Sequence, residues 1–355
     1  MKPVLHEYDT TDFTGLGLGT LADATECTVK EELGGVYELS IQYPVNGIHA
    51  DLIRVDRIIT APPDDQTERQ PFRIYRVAPS LNGTMAVRAE HISYQLNHIP
   101  VKPFSASSLR SAVHMSVLLA GEDCPFLIGT DVSSDNPFVL VKPTMLRSVL
   151  AGPSDSIAAA YGLEAIWDNW TVRLVTARGA DKGVTVRYGK NMTDLEHITD
   201  ISGLVTSIYP YWQKDGVTVT GNAAYWADSS YSYWRSKIVD MTAKFDAQPS
   251  QDDLHNEAEA ELLDRTVNAL VSTSLGFVPM WQTEEYKNMV MLDRVQLGDT
   301  ISVSCPPLGI YDAKARVVST TFDVLLNRYK DIQVGTLRPG LGRTLANIIR
   351  RVDLA

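Results

Sequence analysis

The most regular pattern in the chain is an alternation of apolar and polar positions between residues 289 and 335. Ile301 and Val303 alternate with hydroxyl-bearing residues, and the turn residues Gly298-Asp299 stand just before them. A period of two is typical of a β-strand with one buried face and one solvated face. Further alternating runs follow. We therefore predict a meander of successive strands over this part of the chain.

Residues 1–104 show the same period in shorter runs. Gly34-Gly35 separates two alternating runs, and Asn82-Gly83 separates two more. Asn-Gly between apolar alternating runs is a strong hairpin signal, because both residues readily adopt the positive φ angles of a tight turn. The pattern predicts a β-rich segment.

Residues 105–183 change to a helical period. From Leu109 onwards apolar residues recur every three or four positions, which predicts an amphipathic helix that ends at Gly121. A second, short helix is predicted over 154–161, with Ser154 as its N-cap. This segment is therefore expected to be an α+β domain of its own.

Two tryptophans flank a turn in the same segment. Trp167 and Trp170 stand on either side of Asp168-Asn169, which predicts a hairpin with the two indoles facing each other at its mouth. Two indoles beside a turn can hold a sugar ring. They more often cover a core or form a cross-strand pair.

Residues 184–245 return to strands, with Asp215-Gly216 as another tight turn. The stretch Tyr225–Trp234 is the most aromatic part of the chain. Tyrosine and tryptophan are favoured in protein–protein contacts, so this stretch is either a contact surface or an elaborated hairpin.

The clearest helix is predicted over 250–266. Ser250 and Asp253 have the spacing of a capping box, with the acid one carbon shorter than usual. Leu254, Ala258 and Leu262 repeat every four residues and predict one buried face.

The composition is that of a folded protein rather than a disordered one. Of the 355 residues, 44% are hydrophobic and 21% are charged. The formal net charge of −11 disfavours binding to phosphate backbones, so sequence-specific nucleic-acid binding is not expected. No apolar run approaches the roughly 20 residues of a membrane helix, and the first residues lack the form of a signal peptide. We expect synthesis in a cytoplasm without Sec export.

The three cysteines, Cys27, Cys124 and Cys305, are far apart and form no CxxC pair. Neither a zinc site nor a disulfide framework is indicated. A cysteine peptidase would need a reactive thiol with a lowered pKa. Nothing around Cys124 resembles the helix N-terminus that would lower it.

The histidines give no metal-binding motif. His91 and His98 lack the spacing of the HExxH zinc helix, and His255 lies among the acids of the predicted helix over 250–266. No GxSxG turn, phosphate-binding loop or dinucleotide fingerprint is present. We therefore predict no catalytic, cofactor-binding or metal-binding residues and favour a structural protein.

Several long phrases of the sequence resemble a known family. They are QPFRIYR at 70–76, AEHISYQLNHIPVKPF at 89–104, the stretch from YGLEAIW to KNMTDL at 161–195, IYPYW at 208–212 and TEEYKNMVMLDRVQLGDTISV at 283–303. In this order they resemble the N-terminal hub module of siphophage tail-associated proteins, the prophage endopeptidase tail family. The resemblance covers about residues 1–337. Members of this family also resemble the hub proteins of contractile-tail baseplates.

The resemblance implies a β-rich α+β fold with two tail-tube-like β-barrel domains. The first barrel is expected over 1–104, completed by about 184–203, and the second over 204–338, including the helix at 250–266. A peripheral α+β domain is expected over 105–183. A C-terminal helix or tail is expected over 339–355.

The resemblance also implies a function, a structural hub at the tip of a phage or prophage tail. The hub is expected to be a homotrimeric ring that joins the six-fold tail tube and distal tail protein to three-fold tip components. The ring is also expected to gate passage of DNA and the tape measure protein. Residues 339–355 are a possible link to a downstream fibre, spike or lysin. The alternative is a tail-associated cell-wall hydrolase, an endopeptidase with an unrecognised site. A third, weaker alternative is a wall-sugar binder that uses Trp167, Trp170 and the Tyr225–Trp234 stretch.

Overall fold

A computed structural model describes residues 2–121, 123–153, 155–200, 204–226, 232–245, 247–264, 270–277 and 294–335. The chain divides into two compact units. One comprises Met1–Glu196 and Thr273–Ala355, and the other comprises His197–Ser272. We call them unit 1 and unit 2.

Strands dominate the described residues. They are β1 Val4–His6, β2 Gly19–Thr20, β3 Glu26–Glu32, β4 Tyr37–Pro44, β5 Ile58–Ala61, β6 Gln70–Pro79, β7 Thr84–His91, β8 Pro100–Val101, β9 Phe104–Ala106, β10 Leu127–Thr130, β11 Phe138–Leu140, β12 Thr144–Met145, β13 Glu164–Asp168, β14 Thr171–Val175, β15 Asp181–Arg187, β16 Met192–Asp200, β17 Ser207–Lys214, β18 Val217–Thr220, β19 Ala224–Tyr225, β20 Ser236–Asp240, β21 Leu270–Phe277, β22 Thr300–Cys305, β23 Ile310–Asp323 and β24 Arg328–Val334.

The helices are few and short. They are α1 Leu109–Leu118, α2 Leu146–Ala151, α3 Ile157–Tyr161 and α4 Gln251–Asp264, with 3-10 turns at Ala50–Leu52, Ile92–His98, Thr242–Lys244 and Pro306–Leu308. The prediction of a β-rich chain with few helices is confirmed. None of the helices in the described ranges is long and apolar enough to cross a membrane.

The main sheet of unit 1 runs in the order β21-β24-β23-β3-β4-β7-β6-β5-β1-β2. Its hairpins form where the turn residues predicted them, at Gly34-Gly35 and Asn82-Gly83. The pairing of β23 with β3 places Phe322 opposite Val29. Strands from both ends of the chain therefore share one continuous sheet.

The alternation that predicted the meander is reproduced by burial. In β22 the apolar residues Ile301 and Val303 are buried, while the hydroxyl residues between them are only partly buried. Strands β22, β23 and β24 follow one another as antiparallel pairs. The predicted meander is confirmed over 300–334, and residues 289–293 lie outside the described ranges.

A smaller group of elements in unit 1 covers residues 105–175. Strand β14 lies between β13 and β10, and helices α1, α2 and α3 pack beside this small sheet. Helix α1 has Ser108 as its N-cap and ends at Leu118, slightly before Gly121, where the N–H of Leu119 donates to the carbonyl oxygen of Met115 (3.0 Å).

The N-cap of α3 corrects a prediction. The structure places the cap at Ser156, whose hydroxyl accepts a hydrogen bond from the N–H of Ala159 (3.0 Å). Ser154 lies outside the described residues. Both serines have capping chemistry, so only the actual start of the helix distinguishes them. Helix α3 ends where Gly162 adopts a left-handed conformation.

Unit 2 is a four-stranded sheet covered on one face by α4. Strand β17 pairs with β18, β19 and β20, and the turn at Asp215-Gly216 has positive φ at both residues, as predicted. The buried face consists of Ile208, Trp212, Ala224, Met241, Leu254, Ala258 and Leu262.

The capping box of α4 is confirmed. The N–H of Asp253 donates to Ser250 Oγ (3.1 Å), and the N–H of Ser250 donates back to Asp253 Oδ2 (2.9 Å). The predicted C-terminal helix over 339–355 lies outside the described residues.

Candidate functional site: a buried ionic junction

Charged side chains from distant parts of unit 1 meet in one cluster. Glu31 lies on β3, Glu164 on β13 and Arg316 on β23, whereas Arg178 follows β14 and Asp299 precedes β22. We call these five residues the ionic junction. They join the main sheet to the β13–β14 hairpin.

The centre of the junction is a two-pronged ion pair between Arg178 and Glu31. The distances are 2.5 Å from Nη1 to Oε1 and 3.0 Å from Nη2 to Oε2. Glu31 is only 3% exposed. Burial raises the pKa of Glu31, while the Glu31 carboxylate raises the pKa of Arg178 despite that residue's own burial. Because the two parallel hydrogen bonds require a carboxylate and a guanidinium, we describe the pair as ionised at neutral pH.

The second pair, Arg316 and Glu164, continues the cluster. Arg316 Nη1 and Nη2 donate to the two carboxylate oxygens over 2.5 Å and 2.6 Å. Glu164 also accepts from the backbone N–H of Arg178 (2.7 Å). Burial opposes ionisation of Glu164, but the hydrogen bonds from Arg316 and Arg178 outweigh it and lower its pKa.

Asp299 connects the turn before β22 to the segment around residue 180. Its carboxylate accepts from the backbone N–H of Ala180 (2.8 Å) and of Gln296 (2.8 Å), and it forms an ion pair with Lys182 (2.8 Å). The side-chain amide of Gln296 reaches Asp64 (3.4 Å). These contacts fix the backbone of residues 178–182 against the turn.

Two glycines allow this close approach. A Cβ at Gly179 would lie 2.3 Å from the carbonyl carbon of Gly298. One at Gly298 would lie 2.4 Å from the carbonyl oxygen of Arg178. Both have positive φ, +80° and +90°. The two backbones are therefore in direct contact here.

A cluster of hydrogen-bonded side chains holds the tip of the β13–β14 hairpin. Gln70 Nε2 donates to Asp168 Oδ1 (2.8 Å), and Gln70 Oε1 accepts from the N–H of Asn169 (2.7 Å). His91 Nδ1 accepts from the backbone N–H of Ser93 (3.3 Å), so His91 Nε2 carries the proton and donates to Gln70 Oε1 (3.3 Å).

This arrangement of charges suits structural cohesion rather than catalysis. The carboxylates of the junction are paired with guanidinium groups or with Lys182, and no Ser or Cys side chain is paired with a base among its five residues. Among the described residues, no group of three or more His, Cys, Asp or Glu side chains could hold a metal ion.

A comparison with protein families matches a segment that contains Asp299 and Arg316 of the ionic junction. Residues 180–345 match the family described as prophage endopeptidase tail. The match covers just under half of the chain and confirms the resemblance seen in the sequence. No curated protein matches the chain.

Solved structures of three tail proteins share the fold along almost the whole chain. The 43 kDa tail protein of prophage MuSo2 from Shewanella oneidensis has a TM-score of 0.61 at 12% identity, over 94% of this chain and 98% of that chain. A tail protein from Neisseria meningitidis MC58 gives 0.59 at 10%, over 94% and 96%. Prophage tail protein gp18 from Listeria monocytogenes EGD-e gives 0.55 at 13%, over 99% and 100%.

Among the described residues, the cysteine and histidine of the hydrolase alternative do not form a catalytic pair. His91 is fully buried, and both its ring nitrogens are bound, to Ser93 and Gln70. Burial raises the pKa of the partly buried Cys124 thiol, which keeps it protonated and unreactive. Cys27 and Cys305 are buried free thiols.

The remaining candidate histidines also have ordinary surroundings. His98 is exposed at the end of the 3-10 turn Ile92–His98. In unit 2, His255 Nδ1 lies 3.2 Å from the carbonyl oxygen of Asn222, and Nε2 lies 3.4 Å from Glu259. These two contacts account for the position of the His255 side chain without a bound metal.

The two tryptophans do not face each other as predicted. Trp167 pairs with Val172 across the hairpin and is buried, with the Arg147 guanidinium 4.7 Å from its ring centre. Trp170 lies in the turn and packs on Phe126, with ring centres 5.1 Å apart. The two-residue turn puts the indoles out of register, because only residues in the paired strands stand opposite each other.

The buried side chain of His91 makes the stability of the folded protein depend on pH. Burial, and then the charges of Arg147 and Arg178, hold its pKa well below the usual 6.5. The unfolded chain therefore binds a proton that the folded chain does not, and stability present above about pH 6.5 is lost as the pH falls. One such group contributes a slope of about 1.4 kcal/mol per pH unit.

We expect His91→Gln to flatten this decline between about pH 6.5 and 5, as measured by urea unfolding at several pH values. The slope, not the absolute stability, is the readout. His98→Gln, at an exposed position of the same segment, should leave the slope unchanged. Equal slopes for wild type and His91→Gln would show that His91 is not the responsible group.

Proposed function

We propose that this protein is a structural hub at the distal tip of a phage or phage-derived tail. In the proposed assembly three copies form a ring that joins the six-fold tail tube and distal tail protein to three-fold tip components. The observation that supports it most is the fold shared with prophage tail proteins over nearly the full length of both chains.

The proposed ring contains two tube-type barrels per chain, over 1–104 with about 184–203 and over 204–338. In this proposal the two barrels share one sheet, because the continuous pairing from β4 through β3 to β23 joins strands of both. Residues 105–183 are the proposed peripheral domain.

The charge of the protein supports passage of DNA through the ring. A net charge of −11 repels a phosphate backbone, so a wall built from such chains would not retain the passing DNA. The proposed gating of DNA and tape measure protein rests on this repulsion. Residues 339–355 are the proposed link to a downstream fibre, spike or lysin.

We further propose that the chain is not itself an enzyme. The family description contains the word endopeptidase, which keeps a cell-wall hydrolase as the second candidate. In the proposed hub, hydrolysis belongs to domains outside this chain. A zymogram on bacterial cell walls should show no clearing by the purified protein beside an active lysin control, and a cleared zone would establish the hydrolase.

Negative-stain electron microscopy tests the hub arrangement. The purified protein, mixed with the tail-tube and distal tail proteins of the same phage, is expected to form three-fold rings seated on the end of the tube. The distal tail protein without this chain serves as the control. Particles in which this chain binds along the tube wall, or stays unbound, would contradict the proposed position.

A further inference from the structure

A cleft of about 570 Å³ opens on unit 1. Three short stretches line it: the loop Thr11–Thr14, residues 67–69, and Asn169 with Trp170 at the turn of the β13–β14 hairpin. Its volume is within the roughly 300–1,000 Å³ of small-molecule sites. We call it the loop cleft.

Hydrogen bonds hold the walls of the loop cleft in place. Trp170 Nε1 donates to the carbonyl oxygen of Thr11 (3.0 Å), which ties the hairpin turn to the loop. The N–H groups of Thr14 and Thr67 are bound by Asp12 (3.0 Å) and Asp64 (2.6 Å). The cleft is therefore largely preformed, which lowers the entropy cost of binding a ligand.

Two aromatic rings supply the apolar part of the cleft. Trp170 is supported by Phe126, with ring centres 5.1 Å apart, and Phe13 by His6, with ring centres 5.4 Å apart. The Phe13 and His6 rings meet edge to face, the Trp170 and Phe126 rings meet at a tilt, and both Phe13 and Trp170 are only partly buried. A partly exposed ring held by such a contact offers an apolar surface to a ligand.

The polar groups in the cleft have complementary hydrogen-bonding roles. Asp12 and Glu68 bring carboxylates that only accept, Arg69 brings a guanidinium that only donates, and Asn169 brings an amide that does both. Glu68 and Arg69 make no side-chain hydrogen bond or ion pair with any of the described residues. Their hydrogen-bonding capacity is left for a ligand or water.

We propose that the loop cleft binds a neutral saccharide, with a sugar ring against Trp170 and its hydroxyls on Glu68, Arg69 and Asn169. Hydroxyl groups both donate and accept, so they match this mixed set of partners. The C–H face of a sugar ring is apolar and matches the aromatic surface.

Other ligand classes fit the same groups less well. A phosphate only accepts hydrogen bonds and is negatively charged, so Asp12 and Glu68 repel it. A quaternary ammonium group would suit the aromatic rings and carboxylates. It would leave Arg69 without a partner and would be repelled by its charge.

Ligand-observed NMR with the purified full-length protein tests the proposal. The probes are glucose, galactose, N-acetylglucosamine and their trisaccharides, with choline and inorganic phosphate for the competing classes. At least one saccharide should bind. Glu68→Gln and Arg69→Gln, at positions whose side chains make no protein contact that the fold needs, should each weaken that binding by about tenfold or more.

Substitutions of tryptophan give a matched pair. Trp170→Ala should abolish saccharide binding, whereas Trp234→Ala, which removes a 49% exposed indole of unit 2, should leave it unchanged. Absence of saccharide binding, binding of choline or phosphate alone, or insensitivity to both Glu68→Gln and Arg69→Gln would overturn the proposal. Because binding is measured on the isolated chain, failure here leaves the hub proposal untouched.

Discussion

Replacing Arg178 with alanine is expected to lower the free energy of unfolding by about 3–5 kcal/mol, as measured by urea denaturation. The change leaves the Glu31 carboxylate buried without its partner, since Glu31 is 3% exposed and Arg178 supplies both of its ionic hydrogen bonds. Removing one member of a buried pair costs far more than the net contribution of the intact pair.

Two further variants show whether the cost comes from an unpaired buried charge. Lys30→Ala removes a partner from the surface pair Lys30–Glu32 on the same strand and should cost less than about 1 kcal/mol. The double change Glu31→Leu with Arg178→Met replaces the pair by apolar groups and should recover much of the loss. A cost of Arg178→Ala no larger than that of Lys30→Ala would contradict the description of the junction.

Replacing Gly179 with alanine is expected to be the second severe change, at about 2–5 kcal/mol by the same measurement. The positive φ of +80° costs about 1–2 kcal/mol for an L-residue. The added Cβ would also fall 2.4 Å from the backbone nitrogen of Asp299, and backbone displaced by overpacking costs about 1–3 kcal/mol more.

Gly183→Ala separates the two contributions. Gly183 has a similar φ of +76° but nothing within 4 Å of an added Cβ, so it carries only the conformational cost of about 1–2 kcal/mol. The difference between the two variants measures the contact of residues 178–180 with the turn at residues 298–299. Equal costs would show that the two backbones do not meet as closely as described.

Local chemistry explains which elements the sequence could predict. Asp215-Gly216 specifies its own turn, and the Ser250–Asp253 capping box specifies the start of α4, because both signals act within a few residues. The predicted N-cap of α3, Ser154, differs from the observed one, Ser156, because both serines have the same capping chemistry. The pairing of β3 with β23 has no local signal in the sequence, because the paired residues lie near opposite ends of the chain.

The ionic junction could not be predicted for the same reason. In the sequence, Glu31, Glu164, Arg178 and Arg316 are widely separated charges that look like solvated surface positions. Only the tertiary register brings them together and removes them from water. A weak signal was present at Gly298 and Gly179, because each glycine stands beside a junction residue, Asp299 and Arg178 respectively, and glycine often marks a close backbone approach.

The junction also bears on the proposed assembly. It holds the β13–β14 hairpin, which is part of the proposed peripheral domain, against strands of the main sheet in unit 1. A ring that transmits forces from the tail would need that attachment to be rigid. Fully satisfied charged networks in low-dielectric surroundings provide such rigidity.

The mass of the purified protein in solution, measured by light scattering with and without the distal tail protein, tests the proposed hub most directly. The hub predicts that three chains associate. Alone, the homotrimer would have three times the 39.2 kDa chain mass, and with the distal tail protein it would be part of a heavier complex. A chain that remains at 39.2 kDa in both conditions would contradict the ring.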